Sequence, residues 1–537
     1  MIAFQRYTLG ALLFSLVLII AGCGGGSGGG SGGSSPAATT TTISGTVLAG
    51  PTAGSTVTVK TAGGLVVATS TAPTDVNGAF TVAIPSSALT SDLVFEASGG
   101  TFPDEATAST GVTFGKLTAH VASNTLTAGS NNVTLDPSST IVQKLVAGGM
   151  GKVSAESAFN TAFGFTPDCS VKPAFASISS AATTTQRLAG LRAAVFSQLT
   201  KDLGLAADKQ FELLQALATD LADGVLDGRN GATAVTTASG APIPADINNR
   251  FDQALMAFLA SSSNKSKLTT DKVGSLPFAK TALTDSYKVE YLPGTLAASQ
   301  GKSSFKIKLT NLSDGTPATG RIVKLMPKMH MASMSHGSPV DPVVVDNGDG
   351  TYTCTVYYLM ASGAGMGIWE LKVMIGTDSA VFYPPVAMAM GSTTRATLKG
   401  LSDLIPGMMG GMGTNRTYYL FNEGLAGSTF KLFIAALDDA MMMNYPAVSV
   451  GTTLHDQSNA AWTASTMAVE LSADNGTTWI TATDSGNGHW SATGLTGLAS
   501  GGTVLVRMTI NGEQKSTNGL AVAGANGSAS FTIAAGM

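Results

Sequence analysis

Apolar and polar positions alternate from residue 303 onward: Phe305, Ile307 and Leu309 interleave with Lys306 and Lys308. A period of two predicts strands with one face in a core and one in water. The same period runs through Tyr352, Cys354, Val356, Tyr358 and Met360. It recurs in Trp369, Leu371, Val373 and Ile375, opposite Glu370, Lys372 and Met374. The turn signal Asp346-Asn347-Gly348-Asp349-Gly350 separates strands. Upstream, Ile43–Val47, Thr56–Lys60 and Asp75–Val82 read as strands, the last led by an Asn77-Gly78 turn. In between, the period lengthens to three and four. Leu188, Leu191, Val195, Leu199 and Leu203, stopped by Gly204, predict a helix, as do Phe211, Leu214, Leu217 and Leu221. Ile247, Phe251, Leu255 and Phe258 or Leu259 form a third stripe, entered through Pro244. Ser139–Val146 and Ser154–Phe163 are shorter candidates.

Residues 391–537 return to strand-like patterning. Ser428-Thr429-Phe430-Lys431-Leu432 echoes Ser303-Ser304-Phe305-Lys306-Ile307, and Val504–Ile510 loosely echoes Glu370–Ile375, which suggests a weak internal duplication. Ser472-Ala473-Asp474-Asn475-Gly476-Thr477-Thr478-Trp479 resembles the Asp-box, a structural hairpin in the families that carry it.

At the N-terminus an apolar run from Leu9 to Ala21 is too short to span a bilayer, which needs about 20 apolar residues. It reads as a signal-peptide core. Its end, Ile20-Ala21-Gly22-Cys23, resembles the lipobox of bacterial lipoproteins, which implies acylation of Cys23. Gly24 follows where that family's inner-membrane rule wants Asp, so the expected address is the outer membrane, lipid-anchored, periplasmic or surface-exposed. The division along the chain is then residues 1–22 signal peptide, 23–40 Gly/Ser tether, 41–135 β-sandwich, 136–275 helical domain, 286–395 β-sandwich and 396–537 C-terminal β-sandwich. The strands of 41–135 resemble the carboxypeptidase regulatory-like domain.

Only 64 of 537 residues are charged and the net charge is −4, so a nucleic-acid partner is not expected. Methionine changes the picture more. Fifteen of 21 lie between Met326 and Met443. Four methionines and two histidines fall within the eleven residues Met326–His336. Thioether sulfur suits Cu(I) and imidazole suits copper in either state, and a thioether cannot be lost to a disulfide in an oxidising envelope. Met329, His330, Met331, Met334 and His336 are the candidate metal ligands, and copper the candidate cofactor. Met408-Met409-Gly410-Gly411-Met412 and Met441-Met442-Met443 lack histidine and read as packing between the last two sandwiches, and Met388 and Met390 as core.

Several motifs around that loop resemble the YtkA-like domain, related to FixH-type modules. They are Asp314-Gly315-Thr316-Pro317, the pairs Met329-His330 and Met334/His336, Gly348-Asp349-Gly350-Thr351-Tyr352 and Gly367-Ile368-Trp369-Glu370-Leu371-Lys372-Val373. Two departures stand out. Met329 and His330 are adjacent where the family separates them, and Ala361–Met366 is inserted, leaving Met360 and Met366 outside the implied ligand set. The resemblance implies an Ig-like sandwich and copper handling in the envelope.

The fold class expected is therefore multidomain and mainly β, with Ig-like/prealbumin-like β-sandwiches and one small all-α domain. The chain carries no P-loop, no redox CxxC and no nucleophile–base arrangement, so an enzyme is not expected. Two function readings remain. The chain binds or sequesters copper through the Met/His loop and passes it to an envelope acceptor, or it is a cell-surface interaction protein whose Met patches contact a protein partner. Asp223, Asp227, Gly228 and Asn230 lack calcium-loop spacing and read as a polar turn. An oxidising envelope permits a disulfide between Cys169 and Cys354, but they fall in different predicted domains, which favours two separate buried thiols.

Overall fold

The computed structural model describes residues 39–127, 131–407, 411–439, 441–498 and 501–534. Cys23, the signal peptide, Met408 and Met409 lie outside the described residues. Thr40–Met537 form one compact unit, and the fold is mainly β with one helical region.

The first sandwich pairs a sheet ordered Ala79–Pro85, Thr40–Val47, Asn132–Leu135 with one ordered Val66–Thr69, Thr56–Thr61, Leu93–Ser98, Lys116–Val121. Its Asn-Gly turn is built by Asp75, whose carboxylate accepts from the N–H groups of Asn77 and Ala79, both at 2.8 Å. Gly78 there has φ +72°, and a Cβ on it would stand 2.3 Å from the Val47 carbonyl oxygen.

Five main helices follow: Pro137–Ala147, Lys152–Phe163, Thr184–Asp202, Gln210–Asp220 and Ile247–Ala260. Asp136 caps the first, accepting from the Ser139 N–H at 2.7 Å, with Pro137 in the first turn. The change of element type near residue 136 is not a break in the core. Ile43, Phe95, Leu135, Phe159, Phe196 and Phe251 belong to one continuous apolar cluster. The Asp223 region is a polar turn: Asp220 accepts from the N–H groups of Asp227, Gly228 and Arg229, and Asp223 from those of Val225 and Gly231.

The two C-terminal sandwiches, third and fourth along the chain when the helical region is counted as the second, share one topology. The third has a five-stranded sheet ordered Thr281–Leu283, Tyr287–Pro293, Gly301–Asn311, Thr351–Tyr358, Val345–Asp346. Its four-stranded sheet runs Ser335–Gly337, Val323–His330, Ile368–Ile375, Asp378–Phe382. The fourth repeats this as Arg395–Ile405, Thr414–Ala426, Thr429–Ala436, His489–Thr493, Thr483–Asp484 and as Ile480–Thr481, Met467–Ser472, Gly502–Ile510, Glu513–Gln514. Both sequence echoes fall on the third strand of the corresponding sheet. The Asp-box closes the hairpin that matches the Met/His hairpin, with Asp474 accepting from the Thr478 N–H at 2.9 Å and from the Ser472 hydroxyl at 2.7 Å.

The sandwiches are packed together by Tyr357 stacked on Phe433, rings 3.9 Å apart and 3° from parallel. The expectations for the methionines outside the Met/His stretch need correction. Met388 and Met390 are exposed, not core, because they lie in the irregular link after the last strand of the third sandwich. Met412, Met441, Met442 and Met443 are exposed too, so their side chains do not pack between sandwiches. Among the described residues Cys169 and Cys354 are free thiols, and no helix is long and apolar enough to cross a membrane.

Candidate functional site

The Met/His stretch is a hairpin, not an open loop. Val323–His330 runs antiparallel to Ile368–Ile375 on one side and Ser335–Gly337 on the other, and the Met331 N–H donates to the Met334 carbonyl at 3.0 Å to close the turn. Gly367 makes the close approach possible: with φ +135°, a Cβ on it would lie 2.1 Å from the His330 carbonyl oxygen.

Strand alternation separates the five candidate ligands. Met329 and His336 are directly opposed across the hairpin and both are buried in the sandwich. Met331 packs half-buried at the edge of the same core, and Met334 is 48% exposed at the tip. His330 pairs with Ser335 and points the other way. The five do not converge on one point, because neighbouring strand residues face opposite sides.

The inward group is completed by Met360. The Nε2 of His336 lies 3.4 Å from the Met360 Sδ, while its Nδ1 lies 2.7 Å from the Gly337 carbonyl oxygen. A carbonyl only accepts, so Nδ1 carries the proton. Burial lowers the His336 pKa, the Gly337 bond works against that shift, and the Arg395 charge adds to it. The imidazole is thus held neutral, and its Nε2 lone pair faces a thioether that has lone pairs and no proton. Trp369 fixes the frame: its Nε1–H donates to the Met360 carbonyl at 2.9 Å, and its ring meets the His336 ring edge-on at 5.4 Å.

The outward group is His330 with Glu370, Nε2 to Oε2 3.0 Å. Burial pushes the Glu370 carboxyl up, but the His330 bond and the charges of His330, Lys328 and Lys372 outweigh it and hold the pKa below its ordinary value. This pair lines a cavity of about 600 Å³ against the last long helix, together with Arg250, Gln253 and Tyr383. Among the described residues no three His, Cys, Asp or Glu side chains gather as a metal site.

Sequence reasoning left Met360 out, since it sits beyond the motif, in the bend that follows strand Thr351–Tyr358 of the opposite sheet. It also missed a cluster between the two C-terminal sandwiches. His489 donates from Nδ1 to Glu423 at 2.9 Å and from Nε2 to Asp341 at 3.2 Å, and Glu423 also receives Lys302 at 2.7 Å and the Tyr357 hydroxyl at 2.8 Å. The partners of His489 lie 66 and 148 residues away, so local sequence held no signal for them.

No protein-family profile matches the chain, and no curated protein matches it. Among solved structures it is similar to the surface layer protein SbsC, domains 4–9, at 14% identity and a TM-score of 0.15, covering 47% of this chain and 32% of that one. It is also similar to a chimeric titin Z1Z2, at 10% identity and a TM-score of 0.12, covering 42% of this chain and 90% of that one. Likeness this slight carries no argument about role.

Proposed function

We propose that the protein is an envelope lipoprotein, anchored through Cys23, that binds Cu(I) at the inner face of the Met/His hairpin. His336 and Met360 are the central ligands, with Met329 beside them and Met331 and Met334 leading out to the hairpin tip. The observation that carries this reading is the neutral His336 lone pair set against the Met360 sulfur. For scale, a tetrahedral zinc ion with nitrogen and sulfur donors at about 2.0 and 2.3 Å holds them roughly 3.5 Å apart, and the His336 and Met360 donors sit 3.4 Å apart. Nitrogen and thioether donors with no carboxylate select a soft, monovalent ion over a hard divalent one. His330, turned toward Glu370, is outside this centre.

Titration of the purified protein with Cu(I) under reducing conditions tests the reading. One equivalent should bind in the wild type, and binding should be lost when Met329, His336 and Met360 are changed to Leu, Ala and Leu. Equal affinity in both proteins would sink it. A second reading draws on the exposed methionines: Met390, Met412 and Met441 are 93%, 94% and 69% exposed. Such thioether surface suits contact with a protein partner, and capture of that partner without metal is its distinguishing result.

A further inference from the structure

A second reactive cluster lies inside the fourth sandwich and owes nothing to the hairpin. Lys515 and Asp403 are sealed there, with side chains only 1% and 4% exposed, and the Lys515 Nζ is 3.2 Å from the Asp403 Oδ2. The backbone aims both groups. Asp403 sits in an irregular stretch of strand Arg395–Ile405, where the register with the next strand shifts between Lys399 and Leu404. Glu513 holds that bulge, accepting from the N–H groups of Leu401 at 2.9 Å and Ser402 at 2.8 Å. Ser516 is bridged to Lys399, its N–H donating to the Lys399 carbonyl at 3.0 Å, which fixes the backbone next to Lys515. The Lys515 Nζ lies 5.6 Å from the Tyr418 ring centre and 5.9 Å from that of Trp462.

We propose that Lys515 and Asp403 condense to an intramolecular isopeptide bond that ties the first strand of this sandwich to its C-terminal segment. Three neighbours supply the chemistry. The Glu513 Oε1, 2.8 Å from Nζ, takes a proton from the ammonium and frees the amine. The amine attacks Asp403 Cγ, and charge developing on Oδ1 is held by the Arg416 Nε–H, which donates to that oxygen at 2.9 Å. The Cγ–Oδ2 bond then breaks. Oδ2 leaves as water with the two protons the ammonium has lost, relayed by Glu513 and by the Tyr418 hydroxyl, which donates to Oδ2. One ammonium and one carboxylate become one amide and one water, with charge conserved and no oxidant or cofactor. A buried site favours this, since the product is neutral where the reactants are two desolvated charges, and the fold holds the reacting groups together permanently.

The test is a tryptic map of the denatured full-length protein by mass spectrometry. The expected product joins peptide 400–416 to peptide 508–537 at their summed mass less one water, with no cleavage after Lys515. Separate linear peptides from the wild type would overturn the proposal outright. Lys515→Arg should give only linear peptides. Glu513→Gln, which keeps the lysine and aspartate, should also leave them unjoined in freshly folded protein. Full cross-linking in that variant would remove Glu513 from the mechanism.

Discussion

The imidazole of His336 and the thioether of Met360 meet at 3.4 Å, the first on the edge strand Ser335–Gly337, the second in the bend just past strand Thr351–Tyr358 of the facing sheet. Single substitutions should sort the hairpin accordingly. Met360→Leu and His336→Ala are each expected to weaken Cu(I) binding by tenfold or more, about 1.4 kcal/mol per tenfold. His330→Ala should leave it unchanged. Competition against a Cu(I) chelator of known affinity reads this, and a His330 effect as large as the His336 effect would rule out the inward centre. Because His336 stays neutral below its ordinary value, its own affinity term should persist as pH falls to about 6.5 and decline only beneath it.

The contact between the last two sandwiches should depend on pH through His489. Hydrogen bonds to Asp341 and Glu423 raise its pKa to about 9. A raised folded-state value means the stabilisation is complete below the unfolded value of about 6.5 and is lost as pH rises to about 9. Burial pushes Glu423 up, yet the His489 and Lys302 bonds hold it at about 2, so its own contribution is present above about 4.5 and fades as pH falls toward 2. The contact is strongest between those limits. With His489 30% exposed, its share is on the order of 2 kcal/mol after allowing for solvent screening. Urea midpoints should fall between pH 6.5 and 9 in the wild type and stay flat over that range in His489→Gln. Parallel curves would show that the ion pairs carry no net stability.

Much of this arrangement was legible in the sequence because period reports burial. The alternation at Phe305–Leu309 and Trp369–Ile375 marks strands that have one face in the core, and the stripe from Leu188 to Leu203 marks a helix. The Met/His motif was legible as chemistry, but its grouping was not. Adjacency in sequence suggests that Met329 and His330 act together, whereas a strand sends them to opposite faces. Met360 became a partner of His336 only through tertiary pairing. The exposed Met388 and Met390 share spacing two with true core strands, and only the end of the strand before them decides otherwise. His489, Lys515 and Arg416 have partners from distant segments, and period and motif are blind to those.

Cys169, half-buried, and Cys354, buried, should both be protected thiols in the folded state. Burial pushes both Cys169 and Cys354 up to about 12. Thiolate is the reactive form, so at pH 8 the native protein should react slowly with iodoacetamide at both positions and quickly in denaturant. Gel mobility should be identical with and without reductant. Rapid native labelling of Cys354, which lies in the core of the third sandwich, would show that this sandwich opens on the labelling timescale.

Gly190 sits in the middle of helix Thr184–Asp202, where helix propensity alone would favour alanine by about 1 kcal/mol. Packing argues the other way. The segment before the helix lies directly on it, with the Ala174 N–H donating to the Gln186 carbonyl at 2.9 Å, and a Cβ on Gly190 would stand 1.7 Å from the Ala174 carbonyl oxygen. The opposing atom is backbone and cannot swing aside, so residues 174–176 or the helix must shift. Overpacking of this kind costs about 1–3 kcal/mol, which outweighs the propensity gain. Gly190→Ala should therefore lower the urea midpoint, and increased proteolysis should appear first around residues 170–180, where the displaced segment joins the helices. A raised midpoint would mean that this segment is held less tightly than its contacts with the helix imply.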